Sequence, residues 1–158
     1  MILYLGRVNY IIPYLYQPSV TIMNCTLSSF AASATASSFF INSHNTADRG
    51  WHPSNIAGPP VHGACSSGRG AWSPATAGAG VEWVRATFSA PMYAMKLEVW
   101  EAFAAPFIQS VAFEDEHGHL HSQGSVNDAT ACGSTFVMAL DQPTTYRVAA
   151  VHLSTAVQ

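Results

Sequence analysis

The feature that most constrains the fold of this chain is an alternation of apolar and polar residues with a period of two. In residues 92–100 every second position is apolar, namely Tyr93, Met95, Leu97 and Val99. Successive side chains of a strand point to opposite faces of a sheet, so this spacing predicts a half-buried strand. Similar stretches predict strands at 39–43, 81–88, 107–114, 134–140 and 146–153, whereas helical periodicity is nearly absent.

Turn-forming residues separate the predicted strands. Pro91 lies in a hairpin-sized connection at 89–92, and EDEHG at 114–118 indicates a hairpin tip because Gly118 can adopt a positive φ. Several short strands joined in this way are typical of an antiparallel sandwich or barrel. The alternation also predicts which side chains form the core: Phe40, Val84, Phe88, Tyr93, Met95, Leu97, Val99, Val111, Phe113, Phe136, Met138, Val148 and Val151.

The length of 158 residues suits a single domain, and the composition narrows the class of protein. Apolar residues make up 49% of the chain and charged residues only 9%, against roughly 25% charged residues in an average globular protein. The formal net charge is −3 and Lys96 is the single lysine, so the chain lacks the clustered positive charge that nucleic-acid binding requires. We expect no nucleic-acid partner, and the low charge favours an exported protein.

Residues 1–34 are left unassigned. Their apolar character is interrupted at Arg7, Asn9, Pro13 and Pro18, before the roughly 18 apolar residues that a membrane span requires, so we expect no span. The segment lacks the basic start of a signal peptide, although the small residues 31–34 suit a cleavage site. The alternative to a signal peptide is that residues 1–34 form an edge segment packed on the domain. The β-sandwich is assigned to residues 35–158.

Residues 44–80 show no periodicity. Loops longer than roughly 12–15 residues in compact domains are usually functional or disordered. Trp51, Ile56, Val61 and Trp72 supply apolar anchors, so we expect this loop to be ordered. Each of its tryptophans has two interpretations: it fastens the loop to the sheet through its large apolar area, or its ring is a stacking platform for a sugar or a partner side chain.

Several short motifs follow one another in a fixed order: GWHPSNIAGPP at 50–60, AWSP at 71–74, EWV at 82–84, FSAPMYA at 88–94, LEVWEAF at 97–103 and EDEHG at 114–118. This order resembles the scarf-type, galactose-binding-like module found beside the protease domain of pappalysins, with related modules in algal, bacterial and discoidin-like proteins. The resemblance covers roughly residues 36–153 and implies an antiparallel jelly-roll β-sandwich used for binding. Ala102 stands where the family usually has threonine. The chain ends at Gln158, before a final strand that the family often has, which leaves the completeness of the sheet open.

We expect residues 57–74 to form one wall of a ligand-facing rim, because a rim that is ordered in advance loses less entropy on binding. In this interpretation Trp72 offers an apolar ring, Arg69 and His62 supply polar contacts, and Glu101 braces the strand end behind them. These four residues are the predicted ligand-binding set. The alternatives are that Trp72 only packs, that Arg69 is a solubilising surface residue, and that Glu101 accepts backbone N–H bonds from a loop.

The histidines His117, His119 and His121 suggest a metal site, because two histidines spaced by one residue on a strand point to the same side. If the chain turns at His117, only two are aligned, which is too few unless a carboxylate, His62 or His152 joins them. Solvent-facing histidines are the simpler interpretation. The sequence has no H-E-x-x-H, G-x-S-x-G or P-loop motif. We therefore expect no enzyme activity, no cofactor and no metal.

Two of the three cysteines, Cys25, Cys65 and Cys132, can pair and leave one free, or all three can be reduced thiols. If the protein is exported, we expect Cys65 and Cys132 to pair, because both lie outside the N-terminal segment. Together these observations predict a non-catalytic module of a larger protein that binds carbohydrate or extracellular protein surfaces, outside the cell or at its surface. The alternatives are a purely structural or interaction domain without a small ligand, and a histidine-based metal-dependent enzyme.

Overall fold

The computed structural model describes residues 2–11, 26–41, 50–61, 65, 69–75, 80–103 and 107–156. These residues form strands joined by turns and irregular segments, with one 3₁₀ turn at Pro53–Ile56. The strands are β1 (Ile2–Ile11), β2 (Thr26–Ser29), β3 (Ser33–Ala36), β4 (Val81–Met92), β5 (Lys96–Phe103), β6 (Ile108–Asp115), β7 (Leu120–Ser125), β8 (Ser134–Ala139) and β9 (Val148–Ala156).

The described strands form two sheets that face each other. One is four-stranded in the order β2-β1-β5-β8, and the other is five-stranded in the order β3-β4-β9-β6-β7. Their pairings are antiparallel. Side chains of both sheets share one buried cluster, so the predicted all-β, antiparallel β-sandwich is confirmed. Its jelly-roll connectivity stays a prediction.

The core lies between the sheets, where the alternating apolar positions meet. Nine of the predicted core residues are buried: Val84, Phe88, Leu97, Val99, Val111, Phe113, Phe136, Val148 and Val151. Met95 and Met138 are partly buried. The long loop adds Ile56 and Trp72, which are fully buried. Period-two alternation could not reveal these two, because an irregular segment has no repeating face.

The core prediction is wrong at Phe40 and Tyr93, whose side chains are 40% and 37% exposed. Tyr93 was assigned to the core because the connection between the two strands was predicted at 89–92, which placed Tyr93 inside the next strand. β4 continues to Met92, and the chain leaves the strand at 93–95 instead. Because β4 and β5 belong to different sheets, this link crosses the sandwich and is no hairpin. The predicted strand at 92–100 is thereby split, and Tyr93 lies in the crossing.

The strand predicted at 39–43 is wrong over its described part, since residues 39–41 lie outside any strand; residues 42–43 fall outside the described residues. The Phe40 N–H donates to the Ser73 carbonyl at 2.8 Å, so this segment follows the long loop and not a sheet edge. The actual strand nearby is β3, with the sequence SATA. Ala34 and Ala36 alternate with polar residues and pack against the core, but their side chains are too small to give the strong apolar signal from which the other strands were predicted.

The hairpin predicted at 114–118 is confirmed. β6 and β7 pair antiparallel on either side of it. Gly118 has a φ of 85°, a conformation that side chains other than glycine rarely adopt. The tip is further fastened because the Gly118 N–H donates to the Asp115 carbonyl at 3.0 Å.

The predicted disulfide between Cys65 and Cys132 is also confirmed, with the two Cα atoms 5.1 Å apart. It fastens the long loop to the segment just before β8. Cys25 lies outside the described residues.

The N-terminal residues contribute to the sandwich. β1 lies between β2 and β5 in the four-stranded sheet and pairs with both. The division of the chain at residue 35 stays a prediction. Within the described ranges, no helix has the length and apolar character needed to cross a membrane.

Candidate functional site

A groove with a volume of about 270 Å³ opens on the outer face of the four-stranded sheet. Leu97 and Val99 of β5 point into the core, so the alternate residues Glu98 and Trp100 point outward. In the neighbouring strand β8, Val137 lies opposite Glu98 and Thr135 lies opposite Trp100. The described residues that line the groove are Phe30, Pro59, Pro60, Glu98, Trp100, Thr135 and Val137.

One wall of the groove comes from Pro59 and Pro60 of the long loop. The 3₁₀ turn anchors this wall by burying Ile56 completely in the core. Gly58 follows with a φ of 82°, and its N–H donates to the Ala31 carbonyl at 2.9 Å. Pro59 and Pro60 then have fixed φ values and no free N–H, so they present a stiff apolar surface. This part of the predicted rim at 57–74 does border a concave surface.

The groove combines apolar walls with few polar groups, as small-ligand sites commonly do. The Glu98 carboxylate forms an ion pair with Lys96 at 2.6 Å, and both side chains stay partly exposed. The Trp100 ring is half-buried, and its Nε1 has no acceptor within the described ranges. Val137 is 51% exposed, so the apolar floor of the groove is open to solvent.

An aromatic surface adjoins the groove. Trp51 and Trp100 both pack against the small buried pair Ala71 and Ala102. The Arg69 guanidinium lies over the Trp51 ring, 5.8 Å from its centroid, in a cation–π contact. On another side Phe40 meets Trp51 edge to face, with ring centroids 5.1 Å apart. We call Phe40, Trp51 and Arg69 the Trp51 patch.

Trp72, the central residue of the predicted binding set, is fully buried in the core. Its Nε1 donates to the Ser38 carbonyl at 2.8 Å, which satisfies the one polar atom of the ring. Trp72 therefore fastens the loop and offers no ring face to solvent. Arg69 is exposed on Trp51, Glu101 is buried, and His62 lies outside the described residues. The three described members of the set do not form one exposed surface, and ligand binding by these residues stays a prediction.

Glu101 lies at the end of β5 beside Asp128, a residue that the sequence analysis missed. Asp128 accepts N–H bonds from Phe107 and Ile108 at 2.9 Å each, and from Thr130 at 2.9 Å. Asp128 thus holds a loop through backbone N–H bonds, which is the role predicted for Glu101, and that role of Glu101 stays a prediction. The motif D-x-T at 128–130 could have revealed this role, since an aspartate side chain commonly accepts a hydrogen bond from the backbone N–H two residues later. Burial raises the pKa of Glu101 to about 8, with the Asp128 charge adding to the effect.

The histidine hairpin is organised around Asp115. Its carboxylate accepts the backbone N–H groups of His117 and His119 at 2.8 and 2.9 Å, and it contacts His121 Nε2 at 3.0 Å. The bond from His121 is the main cause that holds the pKa of Asp115 below its usual range. His121 in turn stacks on Tyr146, with ring centroids 3.6 Å apart. Within the described residues no three His, Cys, Asp or Glu side chains are grouped so that they could hold a metal ion.

An ionic cluster lies on the five-stranded sheet. Arg85 makes two hydrogen bonds of 2.7 Å to the carboxylate of Glu114, and His152 Nε2 lies 2.6 Å from the same carboxylate. The Arg85 hydrogen bonds, supported by His152, lower the pKa of Glu114 to about 2 in spite of partial burial. The cluster joins β4, β6 and β9 on one sheet surface.

The comparisons with known proteins agree with the motif order. Residues 21–158 match the family model described as "Pappalysin-1, SD scarf domain, C-terminal". No curated protein matches the chain. A scarf domain is an accessory, non-catalytic domain of a larger protein, and the family together with the disulfide indicates an extracellular protein context. The match covers most of the chain and confirms the resemblance to the pappalysin scarf module: the chain belongs to the family of the pappalysin-1 SD scarf domain.

Proposed function

We propose that this chain is a non-catalytic binding module and that the groove on the four-stranded sheet takes a carbohydrate. The observation that carries the proposal is the juxtaposition of Trp100, Glu98 and Thr135 on two neighbouring strands. An aromatic ring can stack on the apolar face of a sugar, while a carboxylate and a hydroxyl can bond its hydroxyl groups.

The dimensions of the groove favour a small ligand. Its volume of about 270 Å³ lies just below the roughly 300–1,000 Å³ of common ligand pockets, which suits one sugar ring better than a longer chain. The two prolines on one wall and the paired strands on the floor are stiff, so little ordering entropy is lost on binding. Glu98 is positioned by Lys96, which holds the carboxylate without burying it.

The test begins with a thermal-shift screen of the whole chain against a panel of mono- and disaccharides. A sugar that binds the folded state raises the melting temperature by mass action. Each sugar that does so is then titrated by calorimetry into the wild-type chain and into Trp100→Ala and Glu98→Gln. We expect binding to weaken at least tenfold in Trp100→Ala, because the stacking surface is lost.

The matched control is Trp83→Ala. Trp83 is also a strand tryptophan and is 43% exposed, but it belongs to β4 of the five-stranded sheet. Its removal should leave sugar affinity unchanged. Equal affinities of Trp100→Ala, Glu98→Gln and the wild-type chain would show that the groove is not the binding site.

A protein partner is the second candidate, and the Trp51 patch favours it. Phe40 and the neighbouring Ile41 are both large apolar side chains with substantial exposure, and Phe40 contacts Trp51. Aromatic residues and arginine are enriched at the centres of protein interfaces. Two results together would support this function. The chain binds no sugar in the screen, and the Phe40→Ser variant no longer binds an extracellular protein that the wild-type chain binds. The cell surface or the extracellular space is the proposed location in either case.

A further inference from the structure

The groove and the Trp51 patch are supported by the same two buried alanines. Trp100, which lines the groove, packs against Ala71 and Ala102. Trp51, at the centre of the patch, packs against the same pair. Ala102 follows Trp100 by two residues in β5, and residues two apart in a strand are separated by roughly 7 Å. The patch therefore adjoins the groove at the end where Trp100 lies.

The outward-facing positions of β5 give this surface a direction. Lys96, Glu98 and Trp100 follow one another on the outer face, and the groove lies over Glu98 and Trp100. A ligand that extends from the groove past Glu98 meets the charged side chain of Lys96. A ligand that extends past Trp100 meets the Trp51 patch.

The Trp51 patch suits a polypeptide better than a second sugar ring. Phe40 and its neighbour Ile41 are 40% and 47% exposed, and their side chains offer no atom that can bond a sugar hydroxyl. The Arg69 guanidinium lies over the Trp51 ring, so this face of the ring is covered by a cation. Exposed aromatic and aliphatic side chains beside an arginine are typical of surfaces that bind protein.

Hydrogen bonds hold the patch in a fixed relation to the groove. The Ser73 carbonyl accepts the Phe40 N–H at 2.8 Å, and the Ser73 N–H donates to the Trp51 carbonyl at 3.3 Å. Ser73 directly follows Trp72, whose ring is fully buried in the core. Trp100 is fixed because it belongs to β5, a paired strand. A ligand that touches both surfaces therefore loses little entropy in ordering them.

We propose that the groove and the Trp51 patch form one continuous site for a glycosylated polypeptide, with the sugar in the groove and the adjoining peptide on the patch. The sugar part rests on the proposed function of the groove, and the new element is the polypeptide to which the sugar is attached. That polypeptide leaves the groove past Trp100, where Phe40 and Ile41 are exposed. Glycosylated segments are surface segments of secreted proteins, in agreement with the extracellular context of the family.

The covalent link between sugar and peptide makes the two contacts cooperative. Once the sugar occupies the groove, the neighbouring peptide is held at a high effective concentration beside the patch. Each contact alone is small, because the groove takes one ring and the patch exposes few apolar side chains. The site should therefore distinguish a glycosylated polypeptide both from the free sugar and from the same polypeptide without sugar.

The test compares three kinds of probe by calorimetric titration of the whole chain. Each monosaccharide of the screening panel is used as its methyl glycoside and also on the central serine of a short peptide with leucine and valine neighbours. The third probe is that peptide without sugar. For a sugar that binds, we expect the glycopeptide to bind roughly tenfold more tightly than the methyl glycoside, because apolar side chains are buried on the patch. The peptide without sugar should bind more weakly than the glycopeptide.

Variants separate the two parts of the site. Phe40→Ser and Ile41→Ser should each remove most of the gain that the peptide gives, while the affinity for the methyl glycoside stays unchanged, because neither residue lines the groove. Trp100→Ala should weaken the binding of both sugar-bearing probes. The matched control is Val81→Ser, which replaces another exposed apolar residue, 66% exposed, in β4 of the five-stranded sheet. It should bind every probe as the wild-type chain does.

A measurement on the wild-type chain keeps the test independent of how well the variants fold. In ¹⁵N NMR titrations the methyl glycoside should shift the amides of Glu98 and Trp100, and the glycopeptide should also shift Phe40, Ile41 and the Trp51 indole N–H.

The outcomes distinguish this site from the groove alone. Equal affinities for the glycopeptide and the methyl glycoside, with shifts confined to the groove, would overturn the continuous site and leave the sugar site standing. A peptide without sugar that binds as tightly as the glycopeptide would also overturn it, because the patch would then act without the groove. If no sugar of the panel binds in either form, the sugar site and the continuous site both fail.

Discussion

The Trp72 indole donates a hydrogen bond to the Ser38 carbonyl at 2.8 Å, and this contact joins the long loop to the segment that follows β3. A second hydrogen bond, from the Phe40 N–H to the Ser73 carbonyl, joins the same two segments. The loop is therefore held by a buried ring with a satisfied polar atom as well as by the disulfide. This packing positions the described parts of the loop, and the exposed groove lies beside them.

Trp72→Ala should lower the free energy of unfolding by about 3–5 kcal/mol, the usual cost of deleting a buried large aromatic side chain. Trp72→Phe should cost less, because it keeps most of the apolar volume and loses the bond to Ser38. Chemical denaturation measures both. Trp83→Ala is the control, and as a substitution of an exposed residue it should cost about 1 kcal/mol or less. Equal losses at Trp72 and Trp83 would contradict the anchoring role.

The double substitution Cys65→Ser with Cys132→Ser should reduce stability by roughly 2–4 kcal/mol, because the cross-link no longer restricts the unfolded chain. Denaturation under non-reducing conditions gives the value, and reduction of the wild-type chain should reproduce it. Cys25→Ser should leave the disulfide intact, which mass spectrometry can verify. A wild-type chain with three reactive thiols before any reduction would show that the bond does not form.

Glu114 makes a contribution to the stability of the sandwich that is lost in acid. Its pKa is lowered to about 2 in the folded chain, against an ordinary value of 4.5. The stabilisation is hence present above about pH 4.5 and is lost as pH falls toward 2. Glu114→Gln should lose roughly 1–3 kcal/mol at pH 6 and show a shallower decline in acid.

The control for this experiment is Glu116→Gln, which removes an exposed partner of Arg147. Exposed ion pairs contribute little, so its stability and its acid profile should stay close to wild type. Denaturation at several pH values between 2 and 7 provides the comparison. An acid profile of Glu114→Gln that superimposes on that of the wild-type chain would show that the Arg85 contact adds no stability.

Much of the fold was predictable because strands that are buried on one face leave an alternating signature. β5, β6, β8 and β9 all carry it, and the hairpin at Gly118 follows from turn chemistry. The crossing at 93–95 was not predictable, because alternation continues through Tyr93 and Met95 whichever sheet the chain enters next. β3 was missed because its alternation is carried by Ala34 and Ala36, whose small side chains give only a weak apolar signal.

The site was less predictable than the fold. The proline wall lies inside the predicted rim, and Cys65 with Cys132 was correctly paired. Trp72, however, is buried, because an indole ring that packs in the core removes more apolar surface from water than a ring that stays on the protein surface. Trp100 looked like an ordinary strand residue, and its position in a groove depends on β8, whose neighbour in the sheet the sequence did not specify.

The most direct test of the groove is an amide and indole NMR titration of the ¹⁵N-labelled chain with whichever sugar of the panel raises its melting temperature. Saturable shifts should centre on the amides of Glu98, Trp100, Thr135 and Val137 and on the Trp100 indole N–H, and they should disappear in Trp100→Ala. Shifts centred instead on Trp83 and His152 of the five-stranded sheet, or a panel in which no sugar binds, would contradict the account.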